Sequence, residues 1–118
     1  MDHEARAIIR WVPASRGGRQ QPPPSADGYT APARFESDPQ EHRGMWSLRI
    51  VRAKPLRGAE VINANVRFIM PDAPHDLLKE GERFELSEGR KVVAKGVVLP
   101  LSLASPSQIS DFDVALLG

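Results

Sequence analysis

Apolar and polar side chains alternate in short runs along this chain, a period of two that predicts β-strands. In the first run Ala5, Ala7, Ile9 and Trp11 alternate with Arg6, Ile8, Arg10 and Val12, and Pro13 closes it. A long loop follows to about Gly28. Residues 29–35 make a second, short strand interrupted at Pro32, and a proline there predicts an edge position. The polar stretch 37–44 is a turn. Trp46, Leu48 and Ile50 alternate with Ser47, Arg49 and Val51 in a third strand, and residues 54–58 (KPLRG) read as the turn that ends it. Residues 61–70 predict the longest strand, with Ile62, Ala64, Val66, Phe68 and Met70 on one face and Asn63, Asn65 and Arg67 on the other.

The next loop, 71–81, has room for one helical turn over 76–80. Residues 83–86 and 91–99 then flank Ser87-Glu88-Gly89-Arg90, where Gly89 can supply the positive φ that a tight hairpin needs. Gly96 inside the second arm predicts a bulge or a close backbone approach. Beyond Leu99 the pattern changes. A Ser105-Pro106 break precedes Ile109, Phe112 and Leu116 at near-helical spacing, which fits a short helix or strand docked as a tail. About six short strands without a long amphipathic helix predict an all-β fold, a small antiparallel barrel or sandwich spanning residues 1–99, with the tail 100–118 packed on it.

Composition narrows the function more than the fold. A length of 118 residues fits one domain. Sixteen basic against fifteen acidic side chains leave the whole chain near neutrality, so a binding face for a charged partner has to come from local clustering. Such clusters exist. Arg6, Arg10, Arg16 and Arg19 stand in the first twenty residues, and Arg43, Arg49, Arg52, Lys54 and Arg57 form an acid-free stretch, while Asp and Glu gather at 72–88 and at 111–113. The absence of cysteine excludes disulfides, thiolate metal sites and a cysteine nucleophile. With no apolar leader and no apolar run near the roughly 20 residues that cross a bilayer, the expectation is a soluble, cytoplasmic protein that uses no membrane.

Candidate chemistry centres on the loop after the first strand. Gly17 and Gly18 can turn backbone amides outward to form an anion nest, with Arg16 and Arg19 as planar cationic forks and Gln20 and Gln21 beside them. The plainer reading is a solvated turn whose glycines permit the bend. Arg49 and Arg52 offer a second basic patch, suited to an RNA backbone or to keeping a strand face soluble. Asp72, His75 and Asp76 lie within five residues and suggest a metal ligand set or a general base, although no second histidine stands at ligand spacing. The serines of the tail form no nucleophile elbow.

Two blocks carry a family likeness. An early strand is followed by Gly17-Gly18-Arg19, Pro22, Gly28-Tyr29, Pro32 and Phe35; later come Arg83-Phe84, Glu88-Gly89 and the valine-rich run 92–98 broken by Gly96. In this order they resemble the C-terminal β-barrel domain of translation elongation factor Tu, over roughly residues 4–99. The resemblance implies a six-stranded antiparallel barrel standing alone. In that family the barrel contacts the acceptor and T arms of transfer RNA and the GTPase domain, and Arg19 occupies the position that would face RNA. The chain departs from the family in its loop interior, 20–27, and in its tail. No G-x-x-x-x-G-K-[ST] loop occurs, so nucleotide binding and hydrolysis are excluded. The expected function is a non-catalytic binding module, without cofactor or metal, that contacts a protein or RNA partner through Arg16, Gly17, Gly18, Arg19, Gln20 and Gln21, with Arg49 and Arg52 as a second patch. The alternatives are a small metal-dependent enzyme using the 72–76 loop and a purely structural homo-oligomer.

Overall fold

The structure, a computed structural model, describes residues 4–18, 26–37, 46–57 and 60–99. It is a closed antiparallel barrel of β1 (Ala5–Trp11), β2 (Thr30–Phe35), β3 (Trp46–Arg57), β4 (Val61–Phe68), β5 (Arg83–Glu88) and β6 (Lys91–Val98), in the order β1-β4-β3-β2-β5-β6. Pairing of β1 with β6, Ala7 to Trp11 against Val98 to Ala94, closes the ring. The all-β class and the small six-stranded barrel are as the alternation predicts.

Inward-facing positions fill the core. Ala5, Ala7, Ile9 and Trp11 from β1 meet Phe35, Leu48, Ile50, Val66, Phe68, Phe84 and Leu86 from the other strands. Aromatic rings sit where the opposing position is small, the taper-filling arrangement of small barrels. Phe35 packs against Phe68 and Phe84 with ring centroids 5.4 and 5.5 Å away. Phe84 pairs across the strands with Gly96, and a Cβ on Gly96 would stand 2.3 Å from the Phe84 ring. Gly96 is therefore a close-approach glycine. The bulge in β6 lies earlier, where Leu86 faces Ala94 and Ser87 faces Val92, so Val93 is the extra residue and turns into the core beside Ala94.

Three local expectations need correction. Pro32 does not mark an edge, because β2 lies between β3 and β5 in a ring without edges. The proline is exposed, and the ladder to β5 begins only at Ala33, so Pro32 sits where β2 has a neighbour on one side alone. Residues 54–57 are not a turn. β3 continues to Arg57 through register shifts after Ile50 and after Pro55, which leave Val51 and Leu56 as extra residues. The strand β4 ends at Phe68, and Ile69 and Met70 stand exposed beyond it, Met70 at 52%. The loop that follows holds a 3-10 turn at His75–Leu77, slightly ahead of the expected helical turn. The hairpin is as read, with Gly89 at φ +62° in the first central position of a two-residue turn.

Alternation also places some apolar side chains outside the barrel. Ile8, Val61, Val97 and Leu99 form a small cluster of their own, with Leu56 packed on it, and Ile8 is 0% exposed. At the end of the barrel bearing the β4–β5 connection, Glu82 is 5% exposed and accepts from the Ser37 N–H at 2.9 Å and the Ser37 hydroxyl at 2.7 Å. That carboxylate ties the end of β2 to the start of β5.

Two substitutions measure these contacts. Glu82→Ala removes both acceptors of Ser37 and should lower stability by about 1–2 kcal/mol, read from the urea midpoint. Gly96→Ala should cost roughly 1–3 kcal/mol through the clash with Phe84, and Phe84→Leu in the same chain should recover part of the loss in a double-mutant cycle.

Candidate functional site

The connections β1–β2, β3–β4 and β5–β6 all lie at one end of the barrel, as the up-and-down direction of its strands requires. Here a 3-10 turn, Ala14–Arg16, follows Pro13 and is closed by Gly17 at φ +86°. Its amides are internally committed. The Arg16 and Gly18 N–H groups both donate to the Pro13 carbonyl, at 2.9 and 3.0 Å, and the Gly17 N–H donates to the Ala14 carbonyl at 3.0 Å. The anion nest expected of Gly17 and Gly18 is therefore not formed. Gly18 is buried, and a Cβ on it would stand 1.8 Å from the Val12 carbonyl oxygen, so this glycine serves a close backbone approach. The plainer reading of the Gly-Gly pair is the correct one for its amides.

The side chains of the same turn have a different use. Arg16 and Gly17 line a cleft of about 760 Å³ together with Arg10 of β1, Arg90 of the hairpin turn, and Lys91 and Lys95 of β6. Trp11, Val12, Pro13 and Val92 supply the apolar part of the lining, and Glu85 is its one carboxylate. Five cations thus share the cleft with a single acid. Among the described residues, Arg10, Arg16, Arg90, Lys91 and Lys95 make no ion pair and no side-chain hydrogen bond. Register explains the clustering. Arg10 stands directly opposite Lys95 across the β1–β6 seam, and Lys95 opposite Glu85, which in turn faces Arg34 on β2. Like charges opposed across a ladder destabilise it, so the Arg10–Lys95 pair is a local cost carried by the fold.

The rim of the cleft is braced from the loop side. The Tyr29 hydroxyl donates to Glu88 Oε2 at 2.6 Å, and the Tyr29 ring meets Trp11 edge-on at 5.2 Å. These contacts tie the end of the β1–β2 connection to the β5–β6 hairpin. Trp11 itself is 3% exposed, so the cleft offers no open aromatic face for a base to stack on.

The other sequence-derived candidates fall elsewhere. Arg19, Gln20 and Gln21 lie outside the described residues, as does the tail 100–118. Arg49 and Arg52 lie on β3, separated from β1 by β4, and so form a different face from the cleft. The extra residue Val51 is what sets them on one side, since without it a three-residue spacing would turn Arg52 inward. Arg52 Nη2 lies 3.4 Å from Glu4 Oε1, which also accepts from Asn65 at 3.2 Å, so this patch is partly neutralised by its own neighbour. In the 72–76 loop, His75 donates through Nε2 to the Pro71 carbonyl at 2.9 Å and sets its ring edge-on to Phe68 at 5.7 Å. Among the described residues no three His, Asp or Glu side chains are grouped to hold a metal ion, and no helix is long and apolar enough to cross a membrane.

Arg90, Lys91 and Lys95 escaped the sequence reading because each is unremarkable in its own strand. The available clue was the hairpin itself, whose turn and first residue carry adjacent cations.

The two glycines of the turn should respond differently. Gly18→Ala places a Cβ against a backbone carbonyl and should destabilise by about 2–3 kcal/mol. Gly17→Ala meets open space and should cost roughly 1 kcal/mol for the left-handed φ. Thermal midpoints of the two variants give the comparison.

With this geometry in view, comparison with models of known protein families finds no match to the chain, and comparison with curated proteins finds no significantly similar sequence.

Proposed function

We propose that the chain is a non-catalytic binding module, soluble and cytoplasmic, whose cleft at the loop end holds the phosphate backbone of an RNA partner. The observation that supports this reading is the set of five cations without ion-pair partners around one cleft that contains one carboxylate. Uncompensated Arg and Lys side chains on one concave surface focus potential and attract a polyanion. The lining suits backbone contact rather than base reading, because the only aromatic in it is buried. Its affinity should therefore depend on charge and salt far more than on sequence. The resemblance to the elongation factor barrel points to the same class of partner, with Arg16 rather than the Gly17 and Gly18 amides making contact. Arg49 and Arg52 are then a secondary, weaker face.

Retardation of labelled single-stranded RNA tests the proposal. If each of the five cations meets one phosphate, log affinity should fall against log salt with a slope of about −3 to −4. Lys95→Glu combined with Arg90→Glu should reduce binding at least about tenfold, whereas Arg49→Glu should leave it nearly unchanged. Absence of retardation at low salt, or equal losses in the two variants, would refute RNA binding by this cleft.

A further inference from the structure

The outer apolar cluster and the cationic cleft are neighbours. Leu99 stands level with Arg6, to whose carbonyl it donates at 2.8 Å, and the cluster runs from Leu99 past Ile8 and Val97 to Val61. Val61 is the register partner of Arg10, which lines the cleft. Four residues of strand separate the two levels, about 13 Å. Apolar side chains thus form a track on the outside of the barrel, from the point where the described chain ends to the edge of the five cations.

The sequence that continues from Leu99 matches this track in order. Leu101 and Leu103 come first, then the Ser105-Pro106 break, then Asp111-Phe112-Asp113-Val114, where acid and apolar side chains alternate. Asp111 lies twelve residues beyond Leu99, a reach of up to about 40 Å when extended. The cleft offers the complementary chemistry, cations around Val12, Pro13 and Val92.

We infer that the track and cleft form one continuous docking surface for an acidic, apolar peptide, and that its occupant is the chain's own segment 100–118. Leu101 and Leu103 lie along Ile8, Val97 and Val61, and the stretch 111–114 sets its two carboxylates among Arg10, Arg16 and Lys95. The segment then competes with any polyanion for the cleft. This rests on the cleft being the binding site, though not on RNA being what it binds.

The lack of native cysteine allows a clean test on the full chain. A nitroxide on Ala115→Cys should broaden the amide resonances of Gly17, Val92 and Lys95, and Asp111→Lys with Asp113→Lys should abolish that broadening. Broadening confined to other faces, or none, overturns the inference. So does equal broadening when a labelled chain is mixed with an unlabelled reporter chain, because the occupant is then a second copy. Retardation of single-stranded RNA provides an independent arm: the same double variant should bind about tenfold more tightly if the closed form predominates. Broadening without RNA retardation would sustain the docked segment and refute only the RNA partner. RNA retardation without broadening would do the reverse.

Discussion

The ring closed by six strands leaves little interior volume, and that shortage governs the rest of the molecule. A barrel this small is filled by its own side chains, so each large ring needs a small residue across from it. Phe84 lies over Gly96, and alanines at 5, 7, 31, 33, 64 and 94 take up the remaining crowded positions. Small side chains inside would be a liability in an open sheet, where they bury little area. Here they permit closure, and closure removes every free strand edge. Pro32 and the two register shifts of β3 become tolerable in the same way, because the ring as a whole holds each strand from both sides.

The sequence made the scaffold legible wherever the determinant was local. Alternation in β1, β4 and the β5–β6 arms, and Gly89 in the hairpin, depend on neighbours in the chain and were read correctly. The extent of β3 was not, since Pro55 is an ordinary breaker unless a bulge moves it to a harmless register, and bulges are decided by the partner strand. The cleft was half legible for the same reason. Arg16 stood out in a glycine turn, but Arg10 and Lys95 become neighbours only through the seam between the first and last strands, a separation that no local pattern reports. Gly17 and Gly18 show the converse failure. Their composition fits an anion nest, yet Pro13 and Ala14 offer carbonyls close enough to take their amides.

Charge along the chain is balanced, while charge on the surface is not. The β1–β6 side gathers cations around a cleft, and the β3–β4 side answers its arginines with Glu4 and Asn65. The distinction matters more than either total, because an exposed pair such as Arg52 with Glu4 adds little to stability and much of its field is cancelled. Binding potential resides where compensation is missing.

The opposed pair Arg10 and Lys95 lies on the seam that completes the ring. Any anion that settles between them converts a repulsive rung into a bridged one, so occupancy and closure are thermodynamically linked. The empty barrel is weakest along the line where its partner would sit. A ligand of this protein would act as a staple across its last-formed joint, and resistance to unfolding would report how full the cleft is.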